Sequence, residues 1–143
     1  MRFLASPPDD ATTLERLADG VGLLGFRDDQ LVATIMFHPP ESTHGSPWYD
    51  RPDVAAFGQF AVRPDLQGRG IGRRLVAHVE DLARQAGAME LACDTSERAS
   101  DLIERYRRWG FRIVGKAKWD VTNYESIVLS KALVAPESGL GAS

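Results

Sequence analysis

Apolar positions along this chain fall into several strand-length runs and one long stretch at helical spacing. Val21 to Phe26 and Leu31 to Phe37 read as strands, and the polar Arg27-Asp28-Asp29-Gln30 between them reads as a hairpin turn. Val54 to Val62 is a further strand, in which Gly58 marks a bulge or a close approach by another group. In the segment from Ile71 to Gln85, with Ala86 behind it, Ile71, Leu75, Val79, Leu82 and Ala86 recur at the period of a helix, and Gly87 stops it. Leu14 and Leu17, with Gly20 behind them, predict a short amphipathic helix over Ala11 to Asp19. Met89 to Asp94 is a strand, after which Thr95 or Ser96 caps a helix that runs through Trp109 and ends at Gly110. Ile113 to Val121 and Ser126 to Leu133 are two strands that can pair antiparallel. His38 to Pro52 is a long loop, aromatic through Trp48 and Tyr49, and loops of that length often carry function. These elements predict an α/β fold, a mixed and largely antiparallel sheet flanked by helices, in one domain over residues 1–134. A Pro-, Ser- and Gly-rich tail over 135–143 is expected to be disordered.

Composition supports one globular unit. The chain has 143 residues, 43% of them apolar and 26% charged, which allows a core and argues against disorder. No apolar run is long enough to span a bilayer, and the first residues turn polar too soon for a secretory signal. Cys93 is the single cysteine, so no internal disulfide can form, and a reducing cytoplasmic setting without membrane association is expected. The net charge of -3 is unevenly spread. Acids outnumber arginines from Asp9 to Asp53, whereas bases dominate from Arg98 to Lys118 and from Arg63 to Arg74. An anionic ligand finds favourable potential in the second half and a cationic one in the first. The overall negative charge argues against a nucleic-acid partner. Three scattered histidines and one cysteine show no metal-ligand spacing, so no metal is expected.

The sharpest motif is Val62-Arg63-Pro64-Asp65-Leu66-Gln67-Gly68-Arg69-Gly70-Ile71-Gly72-Arg73-Arg74, where a strand passes into a helix. The first amides of a helix have no intrahelical partner and lie at its positive end, so they suit a diphosphate. Gly68, Gly70 and Gly72 remove side chains that would hold phosphates away, and Arg69, Arg73 and Arg74 add positive charge. Arg73 occupies the place of the third glycine of a dinucleotide fingerprint, and no Gly-Lys-Ser/Thr ending makes a nucleotide P-loop.

Gln67-x-x-Gly70-x-Gly72, preceded by Phe60-Ala61-Val62-Arg63-Pro64 and followed by Tyr106-x-x-x-Gly110-Phe111, resembles the coenzyme A signature of the GNAT superfamily of N-acetyltransferases. The likeness covers about Leu31 to Leu133, and the end segment from Trp119 to Lys131 is similar to small bacterial members. It implies acetyl-CoA as co-substrate and an amine acceptor, small molecule or peptide. It also implies that backbone groups of Phe60, Ala61 and Val62 hold the pantetheine arm and acetyl carbonyl, with the amides from Arg69 to Arg74 on the diphosphate. Gln67 and Gly68 belong to the same signature. The Val62 amide is the candidate donor to the carbonyl oxygen. Tyr106 stands where the family places its general acid, and a phenol can share or return a proton to a departing thiolate.

Many relatives carry a carboxylate on the strand before the glycine turn, and Val54 to Val62 has none. Gln59 can orient a water or an amine there without accepting its proton. Asp94 on the next strand, His38, His44 and a water relay are the alternatives for the base. Cys93, in an apolar strand without an adjacent histidine, reads as a packed thiol rather than a nucleophile, and His78 as a packing or surface residue of its helix. By the same resemblance, the acceptor enters beside the N-terminal elements and the last hairpin, which contain Trp48, Tyr49, Trp119, Asn123 and Tyr124; aromatic walls near carboxylates suit a cationic amine. Few residues precede the first clear strand, so the acceptor lid is either reduced or completed by a second subunit in a homodimer. A non-catalytic acyl-CoA-binding sensor is the alternative class.

Overall fold

The structure, a computed structural model, describes residues 2–4, 10–17, 20–43, 47–117 and 126–133. Its strands are β1 (Arg2–Leu4), β2 (Asp10–Leu17), β3 (Gly20–Arg27), β4 (Gln30–His38), β5 (Val54–Val62), β6 (Glu90–Ser96), β7 (Arg112–Ala117) and β8 (Ser126–Ala132). They form one sheet in the order β1-β2-β3-β4-β5-β6-β8-β7, accompanied by the helices α1 (Ile71–Gln85) and α2 (Ser100–Arg108). Every neighbouring pair is antiparallel except β5 with β6, so the expected mixed, largely antiparallel sheet is what the chain builds.

The β3–β4 hairpin turns on Asp28 and Asp29, at φ 52° and 64°, the left-handed pair that a two-residue turn requires and that aspartate tolerates. The helix expected over Ala11 to Asp19 is instead the strand β2, paired with β3 from Asp10–Arg27 to Leu17–Gly20. The Leu14–Leu17 spacing was compatible with a helical turn. A neighbouring strand offering a continuous ladder outweighs it, and β-branched Thr12 and Thr13 favour extended backbone.

The sheet's faces separate by alternation. Ala55 and Phe57 of β5, Leu91 and Cys93 of β6, and Ile127 and Leu129 of β8 join the main core with α1 and α2. Val54, Ala56, Ala92 and Val128 turn to the other face, where Tyr49 from the loop after β4 covers them. Burial on both faces explains why these strands read as unbroken apolar runs. The helix α1 has the bounds read from its periodicity and buries Ile71, Leu75, Val76, Val79 and Ala83. Leu82 is half-buried, while Ala86 is exposed in the C-terminal turn. The helix α2 starts later than expected. Thr95 and Ser96 stay in β6 because β8 pairs with them, and Ala99 precedes α2 with no side-chain cap. Ser96 Oγ instead accepts from the Arg98 amide at 3.1 Å, which turns the chain toward the helix.

One charged cluster fastens α1 to β8. Glu80, 6% exposed, is met by Lys131 Nζ at 3.0 Å, by Arg73 at 3.5 Å and by Arg84 at 3.8 Å. Losing the shortest of these contacts leaves a buried carboxylate to the two arginines alone. Lys131→Met is therefore expected to lower the unfolding free energy by about 2 kcal/mol, read as a lower urea midpoint at unchanged slope. Among the described residues no helix is long and apolar enough to cross a membrane.

Candidate functional site

The site begins where β5 and β6 part. Their parallel ladder covers only Val54–Glu90, Ala55–Leu91 and Ala56–Ala92, after which β5 continues to Val62 beside an opening. A bulge helps aim β5 into that opening. Thr34 pairs with Ala61 and Met36 with Gly58, so Gln59 and Phe60 together face Ile35. Gln59 takes the left-handed conformation, φ 49°, and its carbonyl accepts from Thr34 Oγ1 at 3.2 Å. The bulge is thus one residue beyond Gly58, where a Cβ would meet nothing within 4 Å.

Past the bulge, Arg63 donates its amide to Val32 O at 2.7 Å. Antiparallel ladders alternate, so the adjoining Ala33–Val62 pair turns its amide and carbonyl groups away from each other. The Val62 N–H therefore points toward the side that β6 has left. The Val62 carbonyl, on that same side, accepts from Gln67 Nε2 at 3.1 Å, and this bond locks the turn that follows.

That turn runs into α1. Gly68 and Gly70 both lie at φ 84°, where a side chain would be strained. Arg74 donates its amide to Gly70 O at 3.0 Å, so the N–H groups of Ile71, Gly72 and Arg73 precede the first helical bond. Among the described residues no side chain caps this end, and no acid stands in its first turn. Gly72 serves packing more than phosphate access: a Cβ there would come 2.9 Å from Phe60 Cζ and 3.3 Å from Val62 Cγ2.

The resulting cleft, about 540 Å³, is lined by Phe60, Ala61, Val62, Gln67, Gly68, Gly70, Gly72 and Arg73 on one side. The opposite wall is Leu102, Arg105, Arg108 and Trp109 of α2 and its end. The side chains of three other expected cradle residues are not part of its lining. The Ile71 side chain is buried in the core, Arg69 is exposed, and the Arg74 guanidinium lies 3.5 Å from where a Gly70 Cβ would be. The α2 wall escaped the sequence reading, although positions 102, 105 and 108 at a three-residue spacing within the basic stretch were its signal.

Tyr106 is 3% exposed, in an aromatic cluster behind the cleft. Its ring lies 6.4 Å from Phe60, nearly stacked, with Phe57, Trp109 and Phe111 each within 6 Å. Burial pushes its pKa well above that of an ordinary phenol, the Cys93 thiol adding to the shift and the Arg105 cation opposing it. The hydroxyl therefore keeps its proton across the neutral range. Burial also raises the Cys93 thiol, as expected of a packed cysteine.

A second cavity of about 260 Å³ is lined by His38, Ser42, Thr43, Tyr49, Ala56, Phe57, Gly58 and Asp94. It brings together Asp94 and His38, two candidate bases, with Tyr49, an expected acceptor residue. Tyr49 donates its hydroxyl to Asp94 Oδ1 at 2.7 Å, and its pKa is driven far upward by burial first and by the Asp94 charge second. Neither Gln59 nor Tyr106 lines either cavity; Tyr106 stands behind Phe60 and Trp109 of the main cleft. Trp48 packs against the outer cluster, with the Arg51 guanidinium 4.1 Å and that of Arg112 5.7 Å from its ring centre. Its face is thus already occupied by the chain's own cations. Trp119, Asn123, Tyr124, His44 and the 135–143 tail lie outside the described residues. Among the described residues no cluster of His, Cys, Asp and Glu could hold a metal ion.

The two tyrosines predict an alkaline limit. Both hold their protons more tightly when folded, so the unfolded chain releases protons first as pH rises. Stability is full below the ordinary tyrosine pKa near ~10 and declines above it. Urea midpoints measured from pH 8 to 11 should fall only in the upper part, and less steeply in Tyr49→Phe.

Compared with known proteins, residues 2–111 match the family described as Acetyltransferase (GNAT) family. Aminoalkylphosphonate N-acetyltransferase of Salmonella typhimurium is 29% identical over 89 residues, 62% of this chain and 54% of that protein. Streptothricin acetyltransferase of Streptomyces lavendulae is 41% identical over 54 residues, 38% of this chain and 29% of that one. The chain thus matches about half or less of the length of these curated relatives. A GNAT family acetyltransferase from Elizabethkingia anophelis, solved with acetyl-CoA bound, superposes with a TM-score of 0.69 at 16% identity, covering 87% of this chain and 99% of that one.

Proposed function

Since the chain belongs to the GNAT family of acetyltransferases, we propose that it binds acetyl-CoA in the cleft between β5 and α2 and transfers the acetyl group directly to an amine. The observation that carries this reading is the parting of β5 from β6 beside the glycine turn. It leaves the Val62 N–H directed into a cleft that also receives the free amides of α1. Both named curated relatives are acetyltransferases, one of them by name an N-acetyltransferase, which supports an amine as acceptor.

In this reading the diphosphate rests on the amides of Ile71, Gly72 and Arg73, and the pantetheine arm runs along Phe60, Ala61 and Val62. A neutral amine attacks the thioester carbonyl, whose oxygen gains negative charge and is held by the Val62 amide. Collapse breaks the C–S bond and expels the coenzyme thiolate, to which the Tyr106 hydroxyl donates a hydrogen bond. The proton lost by the amine ends on that sulfur. Asp94 or His38, facing the second cavity, or an intervening water removes the amine proton. The hydrogen bond from Tyr49 aims the Asp94 carboxyl group at the second cavity.

One observation favours a second reading, a coenzyme-binding sensor without turnover: among the described residues no carboxylate lines the main cleft. A panel of amines, assayed for acetyl-CoA-dependent release of free thiol, separates the two. Turnover of any amine supports the transferase; tight coenzyme binding with no release across a broad panel supports the sensor.

A further inference from the structure

The α2 wall of the main cleft carries a charge that the reaction above does not use. Arg105 and Arg108 stand three residues apart and both face the cleft, with Leu102 and Trp109 beside them. Arg105 is half-buried and Arg108 exposed. Five other arginines, at 51, 63, 73, 84 and 112, lie within 4 Å of a carboxylate. Arg105 and Arg108 have no such partner among the described residues, and the cleft they face has no acidic lining residue. Two like charges on one helix face repel, so the arrangement is stable at a cost unless an anion answers it.

The negative end of α2 attracts cations to its last turn and is a structural reason for arginine there. It does not decide which way they face. Arg107 in the same turn serves that end equally well and lies outside the cleft lining. Across the cleft, the diphosphate has its own donors in the α1 amides and in Arg73, itself drawn back toward Glu80. A second anionic group is needed to account for the α2 wall. Coenzyme A carries one in the monoester phosphate on its ribose, of charge near -2 and matched to planar guanidinium forks.

We infer that Arg105 and Arg108 form a phosphomonoester subsite that grips the ribose 3′-phosphate of the coenzyme and lets the protein reject its dephosphorylated form. The inference rests on the coenzyme reading of the cleft, and its test keeps the two apart. Calorimetry at fixed ionic strength would compare coenzyme A with 3′-dephospho-coenzyme A on the folded full chain. The wild-type chain should prefer coenzyme A by about tenfold or more, the value of a charge-assisted contact to phosphate. The Arg105→Gln/Arg108→Gln double variant should lose most of that preference while its affinity for the dephosphorylated ligand changes little. Arg107→Gln should keep the preference, which controls for net charge and for the helix end. No preference in the wild type, or equal weakening toward both ligands in the double variant, overturns the subsite, the second result assigning the arginines to the diphosphate. Binding of neither ligand by folded wild-type protein overturns the coenzyme reading itself and the subsite with it.

Discussion

Tyr106→Phe is expected to cut the rate of acetyl transfer by about 100-fold while leaving acetyl-CoA affinity within about twofold. The phenyl ring that fills the cluster of Phe57, Phe60, Trp109 and Phe111 is kept, so packing and the cleft wall survive. Only the hydroxyl is lost. Because burial holds its pKa above the ordinary phenol value, that hydroxyl stays protonated throughout the working range, and the deficit should be the same from about pH 6 to 9. Steady-state kinetics with calorimetry on the same preparation check this. Unchanged turnover removes Tyr106 from the chemistry, and a matching loss of coenzyme affinity makes it a packing residue.

The second large effect is at Gly72. A single added carbon already comes 2.9 Å from Phe60 Cζ, and with Phe57, Tyr106 and Trp109 packed against it Phe60 yields toward the cleft it lines. Gly72→Val is expected to push Phe60 into the cleft and weaken acetyl-CoA binding by about 100-fold, roughly 3 kcal/mol of binding free energy. Gly72→Ala should show a smaller loss in the same direction. Circular dichroism and the thermal midpoint establish that each variant is folded. Wild-type affinity in a folded Gly72→Val would mean that α1 does not sit this tightly on β5 when the coenzyme binds.

Legibility in the sequence followed the range of the forces involved. The bounds of α1 were readable because its apolar stripe, the left-handed Gly70 and the stop at Gly87 are local signals. The Asp28–Asp29 turn was readable for the same reason. The β2 strand was not, because its ladder with β3 is a tertiary fact that overrides a pair of leucines three apart. The α2 start was missed likewise, since β8 claims Thr95 and Ser96 from a distance.

The site divides along the same line. The glycine turn was legible as the start of α1, yet the small size of Gly72 turned out to answer Phe60 and Val62 packed beside it. Gln67 turned out to bond the Val62 carbonyl. Gln59 was marked by its chemistry, but its place is set by the bulge, which a sequence shows only as a weak spot near Gly58. The meeting of Tyr49 with Asp94, 45 positions apart, needed the fold to be seen. So did the facing of Arg105 and Arg108 across the cleft from the glycine turn.

Titration of acetyl-CoA into the folded wild-type chain, followed by its heat, addresses the cleft most directly. Saturable one-to-one binding with a Kd of about 1 mM or tighter, weakening as salt is added, is the result expected of helix-end amides and arginines meeting phosphates. The absence of saturable heat from protein whose fold is verified in the same buffer would contradict it, and no role for Val62, Tyr106 or the α2 wall would then stand.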